Sequence, residues 1–348
     1  MPKNGAREKE IKASRNLYML VLLALLVVHG CASIFSVVDF EVLEPATVSL
    51  PENVNQLIIL NRAPYTLDSF KEEDRKGMGG EQLIVLDTLI VNSMNRGLLD
   101  VLRQSPVERF HHPYWIADRR MDTSSMENLI LTKREVDALC REMKADAILS
   151  LESYSMDFNQ KGYYFLDAPG VPMTKYYEVS DKVSWMIYLP GSPKPFDTYT
   201  LADTLFFTEI LDGEIVNNFT AATMIQETFY HSGARYGRYL VPVWVHTSRS
   251  LFKGRDDSLK QAAKLTDLGD WDKAYSIWKK LTESKDSTLV SKAYHNMAVF
   301  YELEDNLDSA NLFISRAMEY DPLDAVKAYQ EEMEMRMLNR GELYKQVR

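Results

Sequence analysis

The sequence predicts an α+β fold: a mixed α/β domain that runs into an antiparallel meander, followed by an all-helical tail. Three observations carry this. Helix and strand patterns alternate as far as Tyr154. From Tyr163 the chain turns to aromatic and β-branched runs separated by proline and glycine. From Asp267 the sequence repeats itself at a shift of 36 residues.

The first 30 residues read as a signal peptide. Lys3, Arg7, Lys9, Lys12 and Arg15 outnumber Glu8 and Glu10, and Leu17–Val28 then carries no charge. A spanning helix needs about 20 apolar residues, so this run is too short. A basic start, a short apolar core and a small residue before the cut describe a secretion signal. Val28-His29-Gly30-Cys31 resembles a bacterial lipobox, with His29 departing from the usual small or aliphatic residue. The resemblance implies cleavage before Cys31, diacylation of its thiol and acylation of the new amine. Several acyl chains anchor stably where one is marginal. Ala32 and Ser33 follow in place of an aspartate, and no acidic cluster follows them. By resemblance to Gram-negative sorting rules, this implies the periplasmic leaflet of the outer membrane. Residues 31–54 are the anchor segment and linker.

Residues 55–252 are expected to form the α/β domain. Upstream of it, EVLEPATVSLP is a short strand pattern broken by Pro45 and ended by Pro51. Asn55–Arg62 (NQLIILNR) is nearly continuous apolar, the mark of a strand buried on both faces. Tyr65–Gly80 is polar and reads as a loop; its Gly79-Gly80 lacks the following Lys of a phosphate loop. Glu81–Gln104 reads as a long helix that Gly97 kinks or breaks. Arg109–Trp115 reads as a strand and a turn. The next helix opens on a Thr132/Glu135 capping box and aligns Val136, Leu139, Cys140 and Met143 on one face. Cys140 is thereby expected to be a buried small hydrophobe. Ala145–Tyr154 is a strand. The meander comprises YYFL, KYYEV, KVSWMIYLP and DTYTLADTLFF. Asn218–Tyr239 reads as a helix with Ala222, Ile225, Phe229, Gly233 and Tyr236 along one face, and Val241–Val245 as a last short strand.

Residues 256–340 form the helical tail. Asp267–Leu281 and Glu304–Met318 align, bringing Gly269 onto Asp305, Ala274 onto Ala310 and Trp278 onto Ile314. The second copy, with Tyr294, Met297, Ala298, Tyr301, Leu307, Ala310, Ala317 and Pro322, resembles a tetratricopeptide (TPR) repeat. The first copy departs from that pattern at Gln261 and lacks the closing proline. Asp324–Leu338 is expected to be the solvent cap of the array. The resemblance implies a groove for a protein partner, with Lys292, His295, Val299 and Glu302 on its inner helix.

Composition excludes some functions. The chain of 348 residues has net charge −10, and about −13 without the first 30 residues, which argues against nucleic-acid binding. Its 2 cysteines, Cys31 and Cys140, leave no pair once Cys31 is acylated. His111-His112 is an adjacent pair whose side chains point apart on a strand, and HExxH, CxxC and GxSxG are missing. No metal ligands, cofactor or catalytic residues are expected, and the chain is read as not an enzyme.

Three segments together resemble a Bacteroidetes lipoprotein family of unknown function: EVLEPATVSLP with the strand ending Asn61-Arg62, GARYGRYLVPVWVHTSR at Gly233–Arg249, and the tail. The resemblance implies an α/β domain behind a lipid anchor, followed by TPR-like helices. The function expected is a non-enzymatic envelope scaffold or adaptor that binds a protein partner through the tail. The alternative is a ring- or complex-forming subunit of a secretion or envelope-assembly machine. Arg238, Pro242, Trp244 and Arg249 form either a binding site or the joint between domain and tail.

Overall fold

The computed structural model describes residues 35–64, 80–116, 130–163, 174–210, 220–254 and 256–347. The signal-like stretch, Cys31 and the expected loop at 65–79 lie outside them. The described chain forms two compact units. Among the described residues, one comprises 42–245 with 339–347 and the other 35–41 with 246–338.

The first unit is a five-stranded mixed sheet in the order β3-β2-β4-β5-β6. Strand β2 (Leu57–Asn61) is buried throughout, as its unbroken apolar run requires. It pairs in parallel with β3 (Tyr114–Ile116) and β4 (Ala147–Tyr163). Strands β5 (Thr174–Tyr188) and β6 (Asp197–Ile210) continue antiparallel. The runs KYYEV and KVSWMIYLP are thus one strand, because Asp181 between them is buried and hydrogen-bonded instead of turning the chain. A register shift at Leu151/Ser153 changes the phase of β4. Leu149 and Leu151 before it, and Tyr154 and Met156 after it, all reach the same core.

Two helices cover that face: α1 (Gly80–Gln104) and α3 (Ala221–Leu240). Ile90, Met94, Leu98, Phe229 and Tyr236 pack on Leu57, Ile59, Leu149, Val183 and Trp185. Helix α1 is continuous through Gly97, so the chain does not break there. A Cβ at Gly97 would lie 2.0 Å from the Tyr230 carbonyl oxygen, and one at Gly233 1.9 Å from that of Met94. The glycines let the two helix backbones touch. Helix α2 (Lys133–Met143) covers the opposite face, where Val136, Leu139 and Cys140 meet Ile58, Leu60, Ile148 and Tyr188. Its capping box is formed as the sequence reads. Burial pushes the Cys140 thiol up to about 11. Arg109–Trp115 starts as a 3₁₀ turn (Glu108–Phe110), and His111-His112 lies in a bend ahead of β3.

The second unit contains a two-stranded ribbon and five helices. Strand β1 (Phe35–Glu44) stops before Pro45 and pairs with β7 (Val243–Phe252). Both strands start in one unit and end in the other. Strand β7 is longer than the Val241–Val245 expected, and its end belongs with the helices because Leu251 and Phe252 are in their core. The helices are α4 (Asp257–Asp267), α5 (Trp271–Leu281), α6 (Ser287–Leu303), α7 (Leu307–Tyr320) and α8 (Asp324–Val347). Asp256, Asp286 and Asn306 cap three of them through their side chains. The 36-residue internal repeat is structural. Gly269 and Asp305 occupy equivalent turns at φ 77° and 55°. Asp270 N–H donates to the Leu265 carbonyl, and Asn306 N–H to that of Tyr301, 36 positions on. Ala274 and Ala310 are both wholly buried. Helix α8 runs nine residues past the Leu338 expected.

Candidate functional site on the helical tail

The positions singled out for a partner groove lie on α6. The structure presents only one of them to solvent. Lys292 is half-buried, with its ammonium 5.8 Å from the centre of the Phe252 ring. His295, Val299 and Glu302 are buried at 2%, 0% and 2% exposure. Their expected role as partner contacts is corrected by what covers them: the face carries the chain's own strand β7 and the helix α8.

Strand β7 is seated residue by residue. Asn296 pairs with the backbone of one residue through both ends of its amide: the Phe252 N–H donates to its Oδ1 at 2.8 Å, and its Nδ2 donates to the Phe252 carbonyl at 2.8 Å. His295 Nε2 donates to the Ser250 carbonyl at 2.8 Å, which fixes the tautomer. The imidazole meets the Phe252 and Tyr329 rings at 4.8 and 5.1 Å between centroids. Burial holds it down to about 4, with the Ser250 carbonyl acting in the opposite sense, so His295 is neutral at pH 7. Below these contacts Leu251 and Phe252 enter the helical core, and Phe35 and Val38 of β1 pack against it.

Arg249 of β7 anchors the strand electrostatically. Its Nε and one terminal nitrogen donate to the two oxygens of Glu302 at 2.9 Å each. The other nitrogen donates to Thr247 Oγ1 and lies 2.7 Å from Glu332. Glu302 also accepts from the Tyr329 hydroxyl at 2.7 Å and from Arg336 at 2.5 Å. Burial alone would raise its carboxyl; the Arg249 hydrogen bonds and charge outweigh it, and the net direction is down. Burial likewise works against the Arg249 cation, and Glu302 more than restores it. The guanidinium lies 5.6 Å from the Phe40 ring centre and 5.5 Å from that of Tyr329. The arrangement grips a strand by its backbone and by one paired charge. It offers no nucleophile beside a base. Among the described residues no group of three His, Cys, Asp and Glu could hold a metal ion.

Arg238, Pro242, Trp244 and Arg249 do not share an environment. Arg238 and Trp244 are exposed, the Pro242 carbonyl accepts from the Ser105 hydroxyl at 2.8 Å, and Arg249 is buried in the helical unit. Sequence reading missed Asn296, Tyr329 and Arg336. The repeat pattern uses Tyr294, Met297 and Ala298 and assigns Asn296 no role, and the two α8 residues lie in a helix expected to be a cap. Cys31 lies outside the described residues.

The sequence pattern described as Domain of unknown function (DUF8603) matches residues 54–252. The chain belongs to the DUF8603 family. A second pattern, Domain of unknown function (DUF6340), matches residues 260–338. The DUF8603 match ends on Phe252, the residue gripped by Asn296. None of the curated proteins compared matches the chain. Among solved structures, a neuraminyllactose-binding hemagglutinin homolog from Helicobacter pylori is similar at 10% identity and TM-score 0.28, over 54% of this chain and 86% of its own. Rare lipoprotein B from Shewanella oneidensis is similar at 12% identity and TM-score 0.22, over 62% of this chain and 98% of its own. Likeness this slight carries no argument here.

Proposed function

We propose that this DUF8603 protein is an envelope lipoprotein, anchored through Cys31 in the outer membrane and facing the periplasm, that acts as a non-enzymatic adaptor. Its TPR-like tail is a strand-holding clamp. The observation that carries this reading is the paired hydrogen bonds of Asn296 to the backbone N–H and carbonyl of Phe252. A side-chain amide that completes a strand's backbone hydrogen bonds recognises an extended chain without regard to its side chains. Here the occupant is the chain's own β7, paired with β1. Only three residues separate Cys31 from β1, so the lipid and the ribbon are at most about 14 Å apart along the chain. The clamp thereby ties the anchor strand to the helices. A partner that uses this face must supply a strand in place of β7. No helix among the described residues is long and apolar enough to cross a membrane, which leaves the membrane contact to the lipid in this reading.

The test is cross-linking and affinity capture from the native envelope, with intact cells shaved by protease before lysis and Cys31→Ser as control. Specific envelope proteins recovered only with the lipidated form, and protected from shaving, are the expected result. A ladder of self-cross-linked species would replace the adaptor with the ring-forming subunit. Recovery of no specific protein would overturn the adaptor reading.

A further inference from the structure

The sheet unit contains a cleft of about 310 Å³ that the adaptor reading does not use. It opens beside α1, whose residues Arg96, Leu99 and Arg103 follow at helical spacing along one stripe. Its floor is apolar, made by Ile59 of β2, Leu99 and Pro113. Its rim is charged. Arg96 and Arg103 are both exposed, and neither makes an ion pair with any described residue. Arg96 is held over the Tyr230 ring, 5.1 Å from its centre. The Tyr230 hydroxyl donates to Asp100 at 3.1 Å, so the one carboxylate among the described lining residues is already engaged. Asn95, which also lines the cleft, is buried, and its amide oxygen has no donor among the described residues.

We infer that this cleft binds a small organic carboxylate with a short apolar body. The volume is at the lower end of ligand pockets, which suits a small molecule. Two guanidinium groups without carboxylate partners among the described residues, set above an apolar floor, match an anionic head and an apolar tail. Guanidinium offers a planar fork that fits a carboxylate in two-point contact. Among the described residues, two cations against one engaged carboxylate leave the rim net positive within a chain of net charge −10. The strand clamp and this cleft are independent: neither shares a residue with the other.

The test uses the full chain in lipid nanodiscs, with hexanoate as probe and hexanol as its neutral counterpart, read by saturation-transfer NMR against empty nanodiscs. The expected result is saturable hexanoate binding at least about tenfold tighter than hexanol, equivalent to about 1.4 kcal/mol. R96A/R103A should lose that preference, and R96K/R103K, which keeps the charge and loses the fork, should lose most of it. All three proteins should show the same circular dichroism and melting midpoint, because both arginines are exposed. Equal binding of hexanoate and hexanol, no saturable binding, or full binding in R96A/R103A would each overturn the proposal.

Discussion

Asn296 and Phe252 stand 44 positions apart and share two hydrogen bonds of 2.8 Å, one in each direction. Both peptide groups of that exchange are buried, so no water replaces the amide if it is removed. Asn296→Ala should therefore cost roughly 2–4 kcal/mol, the penalty of one buried donor and one buried acceptor left unmade. Urea unfolding measures it, and a loss below about 0.5 kcal/mol would show that the grip contributes nothing.

Glu302 is the hub of the buried charge cluster, and its two guanidinium partners are not equivalent. Removing Arg249 leaves Glu302 with Arg336 and the Tyr329 hydroxyl. Removing Glu302 leaves Arg249 buried, with the half-exposed Glu332 as its remaining carboxylate among the described residues. Glu302→Leu should thus destabilise more than Arg249→Leu, at about 3–5 kcal/mol for the former. Replacing both together should cost less than the sum of the two. Equal single losses that add would argue against a shared cluster.

His295 makes the helical unit sensitive to acid. Its folded value of about 4 lies below the ordinary 6.5, so the unfolded chain takes up the proton first as pH falls. The stability it contributes is complete above pH 6.5 and is lost as pH drops towards 4. The parent should lose roughly 3 kcal/mol relative to His295→Gln across that window. Melts at matched pH values for the two proteins give the difference directly.

Asp181 should act with the opposite sign. Burial pushes its carboxyl up to about 6, against the Ser232 hydroxyl, which donates to it at 2.5 Å. The folded chain then takes up the proton first, so ionised Asp181 is a liability at pH 7 that is relieved as pH falls from above 6 to below 4. Asp181→Asn keeps an acceptor for Ser232 and should stabilise the protein at pH 7 by roughly 2–3 kcal/mol, with no gain at pH 3. A variant less stable than the parent at pH 7 would contradict the assignment.

Glycine substitutions should separate close approach from mere flexibility. Gly97→Ala and Gly233→Ala would each drive a Cβ to 2.0 Å or less from a facing carbonyl oxygen, and the α1–α3 pair must part. Losses of several kcal/mol are expected at either position. Gly341→Ala lies in α8 with nothing within 4 Å, and should stabilise by about 0.5–1 kcal/mol. Thermal melts of the three variants rank them.

Much of this architecture is legible in local sequence. The five buried residues of β2, the Thr132/Glu135 capping box and the 36-residue echo of Gly269 at Asp305 each follow from a short-range rule. Gly97 reads as a kink or a break because helix propensity disfavours glycine, whereas the partner helix supplies the reason for it. The tail's buried face was misread for a related reason. A repeat pattern gives which side of α6 is concave, but it does not say what fills the concavity. The filling strand comes from a segment 40–50 residues upstream, and its own alternation, with Arg249 inward beside exposed Ser248 and Ser250, reads as a half-solvated edge. Only the three-dimensional pairing with Glu302 turns that arginine inward.

The tail holds its own strand, and hydrogen–deuterium exchange at the Phe252 amide in the full chain reads that grip. Exchange should be about 100-fold or more slower than in an unstructured chain, with protection falling at least about tenfold in Asn296→Ala while the β5 amides stay unchanged. Exchange of Phe252 at the unstructured rate in the parent, or protection indifferent to Asn296, would contradict it.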